Sequence, residues 1–193
     1  MEPNSPNDKT QYAILESQIR ECFGRVVYSH KTQEKCADIV NRLHKRLKLI
    51  QILISAVVTT SLLLKIFGDN QIALFIGAFL SVILFALNTY MKDYDLGEIT
   101  QKHTNAANEL WDIRETYFSM LTDIKTENLS INQIINQRDE LQKRLLNIYS
   151  GSPRTNSKAY KAASKALKVN EELTFSDAEI DAFLPKELRR TQK

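Results

Sequence analysis

The sequence is poor in the residues from which catalytic and metal sites are usually built. Its 193 residues include only five glycines, two cysteines and three histidines. No glycine-rich phosphate loop and no serine in a nucleophile-elbow context is present. The histidines are scattered, and no Cys/His spacing resembles a metal site. We therefore expect that the protein is not an enzyme, that it has no catalytic residue, and that it binds no metal or other cofactor.

The net charge and the cysteines say little about partners. The formal net charge is only +3, which does not indicate a nucleic-acid-binding protein, and we expect no direct binding to nucleic acid. Cys22 and Cys36 fall in a segment that we predict to be cytoplasmic, where reducing conditions argue against a disulfide. Both also lie on an apolar helical face, so we expect them in a core.

Charged residues are absent from two long apolar runs, residues 49–64 and 72–91, which are separated by a short break at Gly68-Asp69-Asn70. A helix that crosses the bilayer core needs about 20 predominantly apolar residues. The second run meets this length alone, and the first meets it when the lysines at its ends snorkel. The pattern predicts a transmembrane hairpin with spans at 48–67 and 72–91 and an external turn at 68–71. The alternative is a buried helical hairpin in a soluble protein.

Basic residues are concentrated on one side of the predicted hairpin. Five precede the apolar run that starts at Leu49, and only one lies at the edge of the turn: Lys35, Arg42, Lys45, Arg46 and Lys48 against Lys65. The positive-inside rule then places both termini in the cytoplasm and the turn outside. The polar N-terminus and the late first apolar run do not indicate a signal peptide. The lipid bilayer is thus the first expected partner.

A heptad pattern continues on both sides of the hairpin, and no proline interrupts it. We predict a disordered segment at 1–10, a cytoplasmic helix at 11–47, cytoplasmic helices at 92–150, and short helices with a tail at 151–193. The fold class is all-α. The cytoplasmic extensions of the two spans should pack antiparallel on two seams: Tyr12, Leu15, Ile19, Cys22, Val26, Ser29, Gln33, Cys36, Val40, Leu43 and Leu47, and Leu96, Ile99, His103, Ala106, Leu110, Ile113, Tyr117, Met120 and Ile124.

Two capping boxes mark the later helices, one at Ser130-Ile131-Asn132-Gln133 and one at Ser176-Asp177-Ala178-Glu179. The first should open a helix that stops at Gly151-Ser152-Pro153. Between the two, an Ala- and Lys-rich helix is expected at 157–169. No segment has the pattern of a strand.

Three polar residues, Ser29, Gln33 and His103, occupy seam positions. On antiparallel helices they meet if they lie at matched heights. They form either a polar layer that sets the register of the coil or a site that senses pH or contacts a ligand.

Polar residues also lie inside the spans. Gln51, Ser55 and Thr59 share one face of the first span, with Lys48 just below, and Gly77, Ser81 and Asn88 share a face of the second. Polar groups are costly in hydrocarbon, so these faces should meet protein or water. Either the two faces pack on each other, or the first lines a water-filled pore in a homo-oligomer.

Several segments together resemble the SLATT group of bacterial two-transmembrane effectors. They are residues 25–31 (RVVYSHK), the two-span hairpin, residues 107–114 (ANELWDIR), and the tail at 148–156 (IYSGSPRTN) and 175–185 (FSDAEIDAFLP). The resemblance implies a pore-forming effector of an anti-phage, abortive-infection system in the bacterial inner membrane. It also implies a trigger from a partner encoded nearby: a nucleotide cyclase, a nucleotide sensor or a reverse transcriptase. The alternative is a non-conducting anchor whose cytoplasmic coil recruits a partner.

Overall fold

The computed structural model describes residues 6–68 and 70–190, and in these residues every regular element is a helix. The α-helices are α1 (Pro6–Gly68), α2 (Gln71–Asp93), α3 (Leu96–Lys125), α4 (Ile131–Gly151), α5 (Ser157–Lys168) and α6 (Asp177–Phe183), and a 3-10 turn covers Lys186–Leu188. The all-α prediction is confirmed. Of the segment expected to be disordered, residues 6–10 belong to α1, and residues 1–5 lie outside the described part.

Helix α1 runs antiparallel to α2 and α3 along its whole length. At the far end of the bundle the Tyr12 hydroxyl donates to the Ile124 carbonyl at 3.1 Å. The predicted seams form the core of this pair, because Leu110, Ile113 and Tyr117 are fully buried against residues of α1. Within the core, Val26 and Cys36 are 1% exposed and Cys22 is partly buried, as the heptad pattern predicts.

One seam prediction is wrong. Leu43 is 43% exposed, whereas its neighbour His44 is half-buried, so the covered face of α1 has turned by one residue at this point. The second span and its cytoplasmic extension are separate helices, since α2 ends at Asp93 and α3 starts at Leu96. Asp95 caps the new helix by accepting the Glu98 backbone N–H at 2.9 Å, which favours a helix start there.

Helix α4 covers one side of the α1/α3 pair. Its capping box is present, with the Ser130 and Gln133 side chains each bonded to the other's backbone N–H. The helix ends at Gly151, as predicted. Its inner face consists of Ile134, Leu141 and Ile148, of which Ile134 is fully buried.

Helix α5 packs closely on the middle of α1. Its inner face consists of Ala159, Ala163 and Ala166, each at most 1% exposed, and these small side chains allow a short distance between the two helices. Tyr160 stacks on Tyr28 of α1 with ring centroids 5.9 Å apart. The second predicted capping box is confirmed at the start of α6.

The apolar parts of α1 and α2 are long enough to span a membrane and are exposed. Only 6% and 11% of their most apolar windows are buried within the protein, whereas the core helix of a soluble protein would be mostly buried. The helices end and begin at Gly68 and Gln71, within one residue of the predicted span limits. Asn70 caps α2 by accepting the Ala73 N–H at 3.1 Å, and Asp69 of the predicted turn lies outside the described residues.

Candidate functional site

The two apolar helices touch along a narrow line of small residues. Gly77 and Ser61 are both buried, and a Cβ on Gly77 would lie 2.8 Å from the Ser61 Cβ. Ala73, one turn away on α2, is 8% exposed. Small residues at such positions let helix backbones approach closely in a membrane. Gly77 is therefore at the packing face, as predicted, but its partner is Ser61 and not the Ser55/Thr59 stripe.

Most of the predicted polar stripe on α1 is exposed. Gln51 is half-buried, while Lys48, Ser55 and Thr59 are exposed. The close contact with α2 is at Ser61 and not at Ser55 or Thr59. The Thr59 hydroxyl donates to the Ser55 carbonyl at 3.0 Å, as hydroxyls commonly do inside transmembrane helices.

The other two predicted packing residues of α2, Ser81 and Asn88, are exposed. The expected packing of one polar face on the other within a single hairpin is therefore not what the structure has. The physical reason is steric: Gly77 and Ala73 leave room for close approach, so they set the line of contact, and the polar faces turn outward.

A polar layer lies in the cytoplasmic bundle where the sequence places it. His103 Nδ1 is 2.5 Å from Gln33 Oε1, and the two residues are 4% and 3% exposed. Because Oε1 is an acceptor, the imidazole donates from Nδ1, and burial lowers the pKa of His103. Ser29 does not join this pair, since its hydroxyl accepts from the Tyr149 hydroxyl of α4 at 2.8 Å.

Sequence reasoning missed the residues beside this layer. His30 is 5% exposed, its Nε2 lies 3.7 Å from Glu34 Oε1, and its Nδ1 has no partner in the described structure. Burial lowers the pKa of His30, with Arg114 acting in the same direction and Glu34 against it. The signal for these residues was the polar run at 29–35, which interrupts an otherwise apolar seam.

A buried lysine joins the C-terminal region to α1. Lys31 is 7% exposed, and its Nζ lies 2.7 Å from Glu172 Oε2 and 2.8 Å from Glu34 Oε2. Burial by itself lowers the pKa of Lys31, but hydrogen bonds to both carboxylates raise it on balance. Hydrogen bonds, first from Lys31 and then from Lys35, lower the pKa of Glu172 to about 2. Lys31 and Glu172 thereby fasten the segment after α5 to the middle of α1.

The layer contains buried imidazole, ammonium and amide groups but little that would hold a metal. Among the described residues, no group of three or more His, Cys, Asp or Glu side chains has the geometry for an ion. What the arrangement does chemically is hold polar and charged groups at low exposure inside a helical bundle. Such groups are sensitive to any movement that opens it.

The comparisons with known proteins identify a family. No curated protein and no solved structure matches the chain. The family model described as the SMODS and SLOG-associating 2TM effector domain family 4 matches residues 15–179. This match includes both apolar helices, the polar layer and α3 to α5. The chain therefore belongs to the SLATT family of two-transmembrane effector domains, which is linked with defence and signalling systems.

Proposed function

We propose that the protein is the membrane effector of a bacterial anti-phage system and acts as an oligomeric pore in the inner membrane. Both termini lie in the cytoplasm. The observation that carries the proposal is the exposure of Ser55 and Thr59, which are not part of the close Ser61–Gly77 contact between α1 and α2. In a bilayer this stripe faces lipid unless other chains cover it or water fills the space beside it.

A pore requires several copies of the chain. One hairpin has two spans, and two helices do not enclose a water-filled path. In a ring of hairpins, α2 supports α1 from outside through the Gly77–Ser61 contact, and α1 turns its Ser55/Thr59 face to the axis. Lys48 then lies at the cytoplasmic mouth, where its charge favours anions.

The trigger acts on the cytoplasmic bundle. A partner, which we expect to be a nucleotide cyclase, a nucleotide sensor or a reverse transcriptase encoded nearby, delivers the signal. It opens the pore only by binding the open arrangement more tightly than the closed one. Since α1 is one helix from the bundle into the membrane, a change in its packing around Lys31 and Gln33 moves the stripe as well.

The test is release of a small dye from liposomes that contain the purified protein. Replacing Ser55 and Thr59 with Leu should abolish release while the assembly keeps its mass. The matched control replaces Ala56 and Thr60 with Leu, because these exposed residues lie one position along the helix, on a face turned by about 100°. Normal release from the double Ser55/Thr59 variant would rule out the stripe as a pore lining.

A second candidate function is a non-conducting anchor that recruits a partner through its cytoplasmic bundle. The hydrogen bond from Thr59 to the Ser55 carbonyl favours it, because a hydroxyl satisfied within its own helix tolerates lipid. An anchor would give no dye release with the wild-type protein under any trigger. The orientation is tested separately: a single cysteine at Asp69 should react with an impermeant thiol reagent in intact cells, and cysteines at the termini should not.

A further inference from the structure

Among the described residues, the two sides of the antiparallel α1/α3 pair differ in what covers them. On one side α4 packs into the pair, with Arg138 donating to the Gln18 side chain at 3.1 Å. The other side has a cavity of about 470 Å³. Its lining is apolar at the base and charged at the rim: Phe23, Phe118 and Leu121, with Glu16, Arg20, Thr122, Lys125 and Thr126.

The base of this open groove is aromatic and accessible. The rings of Phe23 and Phe118 have centroids 6.2 Å apart, and Phe118 is 59% exposed. Together with Leu121, the two rings form a contiguous apolar surface at the base of the groove, and a contiguous apolar patch is typical of an interaction site.

A second apolar surface is uncovered at the C-terminal end of the chain. Phe175, Ile180 and Phe183 are 62%, 43% and 81% exposed. Phe175 and Ile180 flank the Ser176 capping box at the positions of a hydrophobic staple. Residues close in sequence thus define the start of α6, although the apolar face of this helix is exposed.

The segment that carries this face is held together by its own contacts. Asp181 accepts the Arg190 N–H at 3.1 Å, and the Arg189 side chain donates to the Leu184 carbonyl at 2.9 Å. These bonds fold the 3-10 turn back on α6. A preformed element of this kind loses little conformational entropy when it docks.

The two surfaces carry charges of opposite sign. The first turn of α6 presents the exposed Asp177 and Glu179, whereas Asp181 is buried at 6% exposed and faces its own segment. Arg20 and Lys125 line the groove. An exposed acidic turn beside aromatic side chains is complementary to an aromatic groove with basic residues at its rim.

We propose that α6 of one chain docks into the α1/α3 groove of a second copy. In the single chain α6 is folded but its face is uncovered, and the groove of the same chain is open, so the two surfaces are left for another molecule. Two different complementary surfaces on one chain give a head-to-tail contact, which forms a ring when the rotation between successive copies closes. The inference rests on the proposed function, since it supplies the contact outside the membrane that holds the oligomer.

The test is cross-linking between two differently tagged chains, both with Cys22→Ser and Cys36→Ala. One chain carries Thr122→Cys at the groove and the other carries Ala182→Cys on α6. A short bismaleimide should join them into a heterodimer in detergent or in liposomes. The control pair has Ala182→Cys on one chain and Glu140→Cys, on the exposed side of α4, on the other. This pair should give no cross-linked heterodimer.

Two results would overturn the proposal. One is a chain with both new cysteines that cross-links only within itself, because its own α6 then fills the groove. The other is the absence of any cross-link at Thr122. A second measurement uses exposed positions that leave the fold intact: Phe118→Asp or Phe183→Asp should reduce the mass of the assembly. The equally exposed controls Leu146→Asp and Val169→Asp should not.

The charge complementarity is tested by reversing the sign of the charged side chains on each surface. Arg20→Glu with Lys125→Glu should cause loss of the heterodimer cross-link, and adding Asp177→Lys on the tagged partner should restore part of it. Dye release from the same samples separates the two proposals. Cross-linked protein that releases no dye contradicts the pore and leaves the docking standing, whereas wild-type dye release without cross-links contradicts the docking alone.

Discussion

Gly77 and Ser61 hold α2 against α1 at a distance that leaves no room for one more carbon, since a Cβ at Gly77 would lie 2.8 Å from the Ser61 Cβ. The Ser61 hydroxyl is directed back along its own helix, where it donates to the Val57 carbonyl at 2.8 Å. The contact is therefore one of shape, and removing volume on one side should compensate for adding it on the other.

Gly77→Ala should destabilise the hairpin by about 1–3 kcal/mol, the usual effect of overpacking. Adding Ser61→Gly should restore most of this loss. The control is Gly24→Ala, which meets no atom within 4 Å and should raise stability by about 1 kcal/mol through helix propensity. Thermal melting in detergent, followed by circular dichroism, measures all three. A melting temperature unchanged in Gly77→Ala would contradict the close contact.

Leu110 and Leu43 make a matched pair for the cytoplasmic core. Leu110 is fully buried and Leu43 is 43% exposed. Leu110→Ala should cost about 2–5 kcal/mol because it opens a cavity between α1, α3 and α4. Leu43→Ala should cost much less in the same melting experiment. Equal losses would mean that the core extends further toward the membrane than the structure places it.

The buried imidazole of His103 should make stability depend on pH. Burial lowers its pKa below the ordinary value of 6.5, so the unfolded chain binds the proton more readily than the folded chain does. The contribution of the neutral His103 side chain to folding stability is complete above pH 6.5 and is lost as the pH falls from 6.5 through the lowered pKa. Melting temperatures between pH 8 and 5 should show this decline, and His103→Leu should make it shallower, with His30 accounting for the remainder.

Glu172 should fix α5 and the segment after it to α1. Glu172→Gln removes the carboxylate that meets Lys31 and Lys35, so amide hydrogen exchange should become faster in α5. Glu171→Gln, which changes the exposed neighbour, is the control. Because the folded pKa of Glu172 is lowered from 4.5 to about 2, its contribution is complete above pH 4.5 and is lost as the pH falls toward 2. Unchanged amide hydrogen exchange in Glu172→Gln would show that Glu172 does not hold α5 to α1.

Expression of the protein in bacteria should depolarise the membrane before protein synthesis declines. A pore acts on the membrane potential first, and other losses follow from it. A potential-sensitive dye and pulse labelling of new protein in the same culture give the order of events. Growth arrest with an intact potential would argue against a pore and for the anchor.

Periodicity in the sequence was sufficient to predict most of the fold. The apolar runs predicted the two apolar helices, and the heptads predicted the antiparallel pair, in which Gln33 and His103 meet. Local chemistry predicted the capping boxes of Ser130 and Ser176. These features depend on neighbours along the chain, which a sequence shows directly.

The predictions that failed depend on which faces of distant helices contact each other. The spacing of Ser55 and Thr59 places them on one face of α1, but the sequence does not say which face α2 covers. That choice follows from where Ser61 and Gly77 allow the closest approach. The carboxylate of Glu172 on Lys31 joins residues far apart in the chain, and no local pattern indicates it.

The two routes from the cytoplasmic bundle into the membrane differ in stiffness. Helix α1 has 63 residues without a break, a rod of about 95 Å at 1.5 Å per residue. The return route has a joint at Tyr94 and Asp95, where α2 ends and α3 begins. We therefore expect a twist applied to the bundle to reach the first span through the unbroken α1, whereas the joint at Tyr94 and Asp95 uncouples the second span from the same movement.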